Sequence, residues 1–186
     1  MAIQHTHYRF TRDEYHRMAQ TGILPPDARV ELINGEILEM SPIGRRHKAC
    51  VDRLTSVFTP PLHSKAIVRV QSSIVLSEGQ EPEPDITLLR YRDDFYGDSD
   101  ETPADILLII EVADTSEGYD RRTKGPLYAR YGIPEMWLAD VNRDRLTVYR
   151  DPTPDGYATA QVFSPSQSVS PLAFPDLNVP VRAIFG

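Results

Sequence analysis

The stretch ILLIIEVADTS, residues 106–116, is the most apolar part of the chain, and it carries a glutamate in its middle. Five aliphatic residues lead into Glu111, and Val112 and Ala113 follow it. A short run rich in Leu and Ile predicts a central strand covered on both faces, although periodicity alone also allows a buried helix segment. An ionised carboxylate is almost never fully buried without a partner, because desolvation is costly. The sequence therefore raises the question of what Glu111 faces.

The composition is that of a globular protein. The 186 residues are 40% hydrophobic and 25% charged, which predicts one domain over residues 1–186 with a core of its own. The longest apolar run is too short to span a bilayer, and the first ten residues lack the pattern of a signal peptide. The single cysteine, Cys50, excludes an internal disulfide framework. We therefore expect a cytoplasmic protein without a membrane segment.

The charge is unevenly placed along the chain. The formal net charge is -7, so the chain lacks the overall basic excess that drives non-specific binding to nucleic acid. Residues 78–117 hold 13 acidic side chains against Arg90 and Arg92 only. Two interpretations stay open at this point. The block is a solvated loop, above all at residues 92–102, or some of its acids hold a metal ion.

The order of predicted elements indicates an α/β or α+β fold, with a mixed sheet flanked by helices. Thr11 and Glu14 form a capping box, and Asn34-Gly35 separates two alternating runs as in a hairpin. The predicted elements are a helix at 12–21, a hairpin at 29–40, a helix from Gly44 to Pro60-Pro61, strands at 66–76, 85–90 and 106–113, a helix at about 121–131, and strands at 135–140, 145–150 and 157–163.

Two acidic residues are expected to meet at one end of the sheet. Pro82 and Pro84 prevent pairing as an interior strand, which places Asp85 at the start of the strand that follows. If this strand neighbours the strand at 106–113, Asp85 and Glu111 converge. Two converging carboxylates repel each other unless a proton or a cation lies between them. A magnesium ion, which prefers oxygen ligands and keeps bound waters, is one resolution, and a buried ion pair with an arginine is the other.

The same residues resemble a known family. PEPD at 82–85, followed 26 residues later by Glu111, resembles the PD-(D/E)xK signature of restriction-endonuclease-like nucleases. Four pieces in order resemble the Uma-type family of restriction endonucleases over about residues 10–145. They are RVELINGEILEMSP with the downstream His47, PEPDITLL, IIEVADTS, and KGPLYARYGIPEMWLAD. The resemblance implies a restriction-endonuclease-like core, magnesium as cofactor with manganese as a substitute, and hydrolysis of phosphodiesters.

The chain departs from the signature at the lysine. The signature places a lysine two residues after the acid, where this chain has Ala113. Proteins that this chain resembles supply the lysine from the following helix, which makes Lys124 the candidate. Lys124, Tyr128 and Tyr131 have the spacing of one helix face. The proximity of Gly125-Pro126 predicts a helix that begins near Thr123.

Further site residues follow from the resemblance and from charge. Glu31 matches the glutamate of the family's hairpin and acts through a bound water, or it is an exposed strand residue. His47 contacts phosphate or the site, or it is a half-buried, hydrogen-bonded histidine. His5-Thr6-His7 has a spacing seen in metal sites, but it lies at a terminus expected to fray. The residues predicted to contact DNA, besides His47, are Arg45, Arg46, Lys48, Arg121 and Arg122.

The sequence thus predicts a magnesium-dependent endonuclease that hydrolyses DNA. Asp85 and Glu111 hold the metal ion, while Lys124 and Glu31 complete the catalytic set. The chain is expected to act as a homodimer, because two sites can serve two antiparallel strands and because the tail at 169–185 is rich in apolar residues. The alternative is a module with decayed catalysis that binds nucleic acid or a protein partner, which Ala113 would permit. Hydrolysis of another phosphate ester is a third interpretation.

Overall fold

A computed structural model describes residues 7–114 and 116–186. His5 and Thr6 of the predicted His5-Thr6-His7 pair lie outside the described residues. The helices are α1 (Arg12–Gln20), α2 (Arg45–Leu62), α3 (Glu117–Tyr119), α4 (Gly125–Arg130) and α5 (Arg182–Phe185). The strands are β1 (Val30–Ile33), β2 (Glu36–Glu39), β3 (Ala66–Val70), β4 (Ile86–Arg90), β5 (Ile106–Ala113), β6 (Glu135–Asp140), β7 (Arg145–Thr153), β8 (Gly156–Phe163), β9 (Ser168–Val169) and β10 (Val179–Pro180).

The chain forms two compact units. The first comprises Met1–Ser41 and Ser73–Glu83, and the second comprises Pro42–Ser72 and Pro84–Gly186. That residues 1–186 form a single domain stays a prediction. None of the helices within the described residues combines the length and the apolarity that crossing a bilayer requires.

The first unit contains α1 and the β1–β2 hairpin, both as predicted. Thr11 accepts from the backbone N–H of Glu14, and the Glu14 carboxylate accepts from the backbone N–H of Thr11, which completes the capping box. Asn34 and Gly35 have φ angles of 52° and 70°, the left-handed pair that a two-residue hairpin turn requires. A Cβ on Gly35 would lie 2.8 Å from Arg9 Cβ, so only glycine fits this position without movement.

The second unit contains a six-stranded mixed sheet flanked by helices, which confirms the predicted fold class. The strand order is β3-β4-β5-β6-β7-β8, with β5 and β6 parallel and the other neighbours antiparallel. Phe58 of α2 packs against the fully buried Trp137 of β6 at 5.7 Å between ring centroids. The alternate residues Leu108, Ile110 and Val112 of β5 join the same core, which confirms the two-residue period of that strand.

Two predicted boundaries are wrong. Helix α2 continues through Pro60 and Pro61 to Leu62. The φ angle of proline suits a helix, and burial of Phe58 and Leu62 on the core side offsets the missing backbone donors. The strand predicted at 66–76 ends at Val70, because Gln71 adopts a φ angle of 42° and turns the chain away from the sheet.

The helical segment before β6 is also longer and less regular than predicted. It starts with α3, continues through a π-helical turn at Asp120–Lys124, and ends with α4. Gly132, with a φ angle of 74°, follows the segment, as predicted. Pro126 lies in the first turn of α4 and cannot donate a backbone hydrogen bond. The π-helical turn lies directly before Pro126 and is closed by a hydrogen bond from the Gly125 N–H to the Asp120 carbonyl. This wider turn accommodates the interruption of the α-helical hydrogen bonding.

The C-terminal tail packs on its own sheet. Four of its apolar side chains are buried in the core of the second unit: Val169, Val179, Val181 and Ile184. The fully buried carboxylate of Glu135 accepts from the backbone N–H of Leu172 at 2.7 Å and from Arg150 Nη2 at 2.7 Å. The tail therefore exposes less apolar surface than the sequence predicts, and the homodimer stays a prediction.

Candidate active site

The strand register brings Asp85 and Glu111 together. Strands β4 and β5 are antiparallel, and their last paired rung joins Ile86 to Ile110. Asp85 precedes Ile86 and Glu111 follows Ile110, so the two acids lie opposite each other one step beyond that rung. Residues directly opposite in an antiparallel pair project from the same face of a sheet. The predicted convergence of the two carboxylates is thus built into the pairing of the central strands.

Three hydrogen-bonding groups surround the Asp85 carboxylate. Oδ2 accepts from the backbone N–H of Val112 at 2.8 Å and lies 3.1 Å from Nε2 of His47. Oδ1 accepts from Nε2 of Gln71 at 3.2 Å. Several hydrogen bonds to one carboxylate fix its orientation. Asp85 is therefore held in place from β5, from α2 and from the end of β3.

Gln71 donates two hydrogen bonds to Asp85. Its backbone N–H donates to the Asp85 carbonyl at 2.9 Å, in addition to the bond from its side-chain amide. The φ angle of 42° at Gln71 is in the left-handed region, which is unfavourable for residues other than Gly, Asn and Asp. Unfavourable backbone conformations concentrate at functional sites, where neighbouring contacts hold them. The backbone at Gln71 thus directs its amide to Asp85.

His47 points inward from the first turn of α2. Its Nε2 contacts Asp85, and its side chain is 13% exposed. Its Nδ1 is buried and lacks a hydrogen-bond partner among the described residues. The structure thus places His47 beside Asp85 as a partly buried, hydrogen-bonded histidine, and its role at the site or towards phosphate stays a prediction.

Glu111 faces an ammonium and a phenol. Its Oε1 accepts from the Tyr128 hydroxyl at 2.6 Å and lies 3.3 Å from Lys124 Nζ. The side chains of Lys124 and Glu111 are only 5% and 4% exposed. Burial raises the pKa of Glu111 well above its ordinary value; Lys124 opposes this, while the carboxylates of Asp120 and Asp85 add to it. Glu111 therefore faces Lys124 and Tyr128, close to the carboxylates of Asp120 and Asp85.

The π-helical turn positions Lys124. Lys124 is the last residue of this turn, and Tyr128 follows one turn later in α4, so the two side chains approach Glu111 from the same helical face. Asp120 begins the turn and is 3% exposed, and its Oδ2 accepts from the Ser116 hydroxyl at 2.5 Å. π-helical turns are frequent at functional sites.

The donor set fits a hard divalent cation. Asp85 and Glu111 present carboxyl oxygens next to each other, and the raised pKa of Glu111 shows that its buried charge calls for a compensating cation. Within residues 7–114 and 116–186 there is no cluster of three or more His, Cys, Asp or Glu side chains arranged as a metal cage. Magnesium does not require such a cage, because it is commonly held by one or two carboxylates and keeps several waters for the substrate to displace. Asp85 and Glu111 are the residues that could hold it.

Glu31 belongs to the first unit, whereas Asp85, Glu111 and Lys124 belong to the second. It is 4% exposed, and its Oε2 accepts from the backbone N–H of Glu83 at 3.3 Å. The alternative that Glu31 is an exposed strand residue is therefore wrong. Its catalytic role stays a prediction.

The arginines and the lysine predicted to contact DNA lie on two elements of the second unit. Arg45, Arg46 and Lys48 are exposed on the first turn of α2. Arg46 Nη2 lies 3.1 Å from Asp144 Oδ1. Arg121 and Arg122 are exposed on the π-helical turn, where Arg121 Nη1 lies 3.7 Å from Glu117 Oε1. Contact with DNA stays a prediction for all five.

Sequence reasoning missed two residues of the site. The sequence predicts Gln71 in the interior of a strand, and nothing in its local sequence marks it as a hydrogen-bond partner of Asp85. Asp120 was left out, although it is four residues before Lys124 and a helical segment was predicted to begin next to it. Ala113 is fully buried, and its place two residues after Glu111 on β5 puts it on the same sheet face.

The fold has a counterpart among solved structures. The chain is similar to the crystal structure of a "putative nuclease belonging to DUF820" from Anabaena variabilis, with 21% identity and a TM-score of 0.68 over 95% of this chain and 97% of that one. At this identity the likeness establishes the fold alone. None of the curated proteins matches the chain.

The family follows from the sequence match. Residues 12–182 match the Uma2 family, described as "Putative restriction endonuclease". The match covers most of the chain. The protein belongs to the Uma2 family, and the resemblance seen in the sequence is confirmed.

Proposed function

We propose that this protein is a magnesium-dependent endonuclease that hydrolyses phosphodiester bonds of DNA. The observation that carries the proposal is the arrangement of Asp85 opposite Glu111 at the end of two central strands, with Lys124 Nζ 3.3 Å from Glu111 Oε1. Membership of the Uma2 family supports nuclease chemistry. A cytoplasmic location and the use of manganese in place of magnesium are parts of the same proposal.

Each residue of the site has a distinct role. Asp85 and Glu111 would hold the metal ion, which when bound lowers the pKa of a coordinated water and polarises the scissile phosphate. Gln71, His47 and the Val112 N–H orient Asp85.

The groups around Glu111 act on its charge. The Tyr128 hydroxyl and Lys124 stabilise its ionised form against the cost of burial. Lys124, as a compact ammonium, also offsets the negative charge that develops on the phosphate in the transition state. In this way the chain supplies from a helix the charge that Ala113 does not supply.

The metal assignment is tested by calorimetric titration with manganese. Asp85→Asn and Glu111→Gln should each abolish binding while the circular dichroism spectrum stays that of the folded protein. Unchanged affinity in either folded variant would exclude that residue as a ligand.

The role of Lys124 is tested by turnover on plasmid and linear DNA, with magnesium, manganese or EDTA. Lys124→Ala should reduce turnover by about 10²–10³, the scale of losing one group that stabilises transition-state charge, and leave manganese affinity nearly intact. The exposed Lys65→Ala is the matched control and should have no effect. Ala113→Lys in the Lys124→Ala background should recover part of the activity. Wild-type cleavage by Lys124→Ala would exclude the migrated lysine, and DNA binding without any cleavage would favour the decayed binding module.

We also propose that the protein acts as a homodimer, since one metal site cuts one strand per binding event and a two-fold pair presents two sites. The argument rests on the chemistry of two antiparallel strands, because the C-terminal tail is packed in its own unit. Light scattering should give about 42 kDa, twice the 21.0 kDa of one chain. A 21 kDa species at all concentrations would leave a nicking enzyme or a monomeric binder.

A further inference from the structure

A basic cavity lies beside the candidate active site in the second unit. It has a volume of about 230 Å³ and lies along one side of α2, between the first turns of that helix and the C-terminal residues of the chain. Three of its lining residues are arginines: Arg45, Arg46 and Arg53. Among the described residues that line it, Asp144 is the single acidic one. This balance is opposite in sign to that of the chain as a whole, whose formal net charge is -7.

Three guanidinium groups around one cavity repel each other. Asp144 compensates one of them, since its Oδ1 lies 3.1 Å from Arg46 Nη2. The side chains of the lining keep a positive balance, and an anion between the arginines would relieve their repulsion. The planar guanidinium group presents paired donors that match phosphate oxygens. The cavity is therefore suited to a phosphate group.

The first turn of α2 carries positive charges where helices usually prefer negative ones. Cations at a helix N-terminus are unfavourable, because the helix dipole is positive there. This turn nevertheless carries Arg45, Arg46 and Lys48 and has no acidic residue. Asp114, from the end of β5, approaches the terminus, since a Cβ on Gly44 would lie 2.6 Å from its Oδ2. The Asp114 carboxylate thus lies at the helix terminus, which leaves the arginine side chains as the groups that an anion in the cavity would meet.

The floor of the cavity is apolar. Cys50, Val141 and Phe185 line it, and burial raises the pKa of the Cys50 thiol to about 12, so that this side chain is a neutral surface. The volume is several times the share of about 30 Å³ that one water occupies in the liquid. A phosphate held by the arginines therefore has an apolar surface beside it for the sugar or base of its nucleotide.

The cavity and the candidate active site share one helical turn. His47, which contacts Asp85, directly follows Arg46 in α2, so the two side chains lie about 100° apart around the helix axis. Arg46, Cys50 and Arg53 are spaced by four and three residues and form the adjacent face. The cavity is therefore lined by residues of the same helix that carries the Asp85 contact, which places it within reach of a strand bound at Asp85.

We infer that this cavity is a nucleotide subsite that binds one phosphate of the nucleic-acid substrate, next to the scissile phosphate, through Arg46 and Arg53. The inference rests on the proposed function, because it assigns the cavity to the substrate of the same site. The phosphate belongs to the interior of a strand or to a phosphorylated end, and the chemistry of recognition is the same in both cases.

Binding of a short, fluorescently labelled single-stranded oligodeoxynucleotide in EDTA tests the subsite without cleavage. Arg53→Gln and Arg46→Gln should each weaken binding and reduce the slope of log K against log salt by about 0.7, the share of one phosphate contact to a single strand. Arg130→Gln, an exposed arginine at the end of α4, removes the same charge and should leave the slope unchanged. Oligonucleotides with and without a 5′-phosphate distinguish a bound strand end from an interior phosphate.

Asp144→Asn provides a test of opposite sign. It removes the acidic side chain that pairs with Arg46 in the cavity, and asparagine tolerates the φ angle of 49° at this position. The variant should bind the oligonucleotide more tightly than the wild type, whereas Asp98→Asn in the exposed acidic loop should not.

The outcomes separate this inference from the proposed function. The subsite is supported if the arginine variants bind less, Asp144→Asn binds more, and manganese affinity stays at the wild-type value in all of them. The subsite is excluded if folded Arg46→Gln and Arg53→Gln bind the oligonucleotide as tightly as Arg130→Gln does, whatever the state of catalysis. Glu111→Gln, in contrast, should lose cleavage and retain oligonucleotide binding.

Discussion

The contact between Gln71 and Asp85 gives the most specific prediction of metal affinity. Gln71→Gly removes the amide that donates to Asp85 Oδ1 at 3.2 Å. The change introduces no backbone strain, because glycine adopts the φ angle of 42° at this position readily. The Asp85 carboxylate keeps the Val112 N–H and His47 as partners but becomes free to rotate away from Glu111. The variant should therefore fold normally and bind the metal ion less tightly.

The size of the effect follows from the bond that is lost. A hydrogen bond to a charged group contributes about 1.5–3 kcal/mol. Two of the three donors on Asp85 remain, so the loss should lie near the lower limit, which corresponds to about tenfold in the dissociation constant. This agrees with the 10–100-fold range typical for residues that orient metal ligands. Gln71→Asn, which keeps an amide on a shorter side chain, should give an intermediate affinity.

Calorimetric titration with manganese measures the effect directly. Ser64→Gly is the matched control, because Ser64 is exposed, has a φ angle of 60° and is remote in the sequence from the metal ligands. Ser64→Gly should bind manganese as tightly as the wild type does. It also introduces a glycine at a left-handed position, as Gln71→Gly does, and so controls for that backbone change. Equal manganese affinity in Gln71→Gly and Ser64→Gly would refute the positioning role of Gln71.

Three further predictions concern stability and reactivity. The pKa of Glu111 is raised from 4.5 in the folded state, so the folded protein keeps a proton that the unfolded chain has released, and the stability of the metal-free protein falls as pH rises above about 4.5. Glu111→Gln should remove this dependence of stability on pH in thermal unfolding. Equal pH dependence in the variant and the wild type would contradict the raised pKa of Glu111. Arg150→Met leaves the fully buried Glu135 without its cation and should lower the free energy of unfolding by about 3–5 kcal/mol in urea, whereas the exposed Arg145→Met should change it little. Cys50, with its thiol pKa raised to about 12 by burial, should resist alkylation near pH 8 in the native protein and react once unfolded; rapid native labelling would contradict its burial.

Local signals in the sequence were sufficient for several elements. The capping box of Thr11 and Glu14, the Asn34-Gly35 turn and the apolar run of β5 each predicted the observed element within one or two residues. These signals succeed because they act between residues close in the chain, where the backbone satisfies its own hydrogen bonds. The boundaries failed where packing outweighs propensity, as at Pro60 and Pro61, which α2 includes because Leu62 beyond them is buried.

The sequence by itself determined the chemistry of the candidate site: two carboxylates separated by 26 residues, a lysine in the following helical segment and a hairpin glutamate, in the order of one family. Only the tertiary structure decided how they meet. The register of β4 against β5 places Asp85 opposite Glu111, and the π-helical turn directs Lys124 to Glu111. Gln71 entered the site through a non-local contact with Asp85 that no local pattern encodes. The strand register and the direction of a side chain depend on pairing between segments that are distant in the sequence. The free energy of that pairing comes from burial of the whole core, which local sequence patterns do not encode.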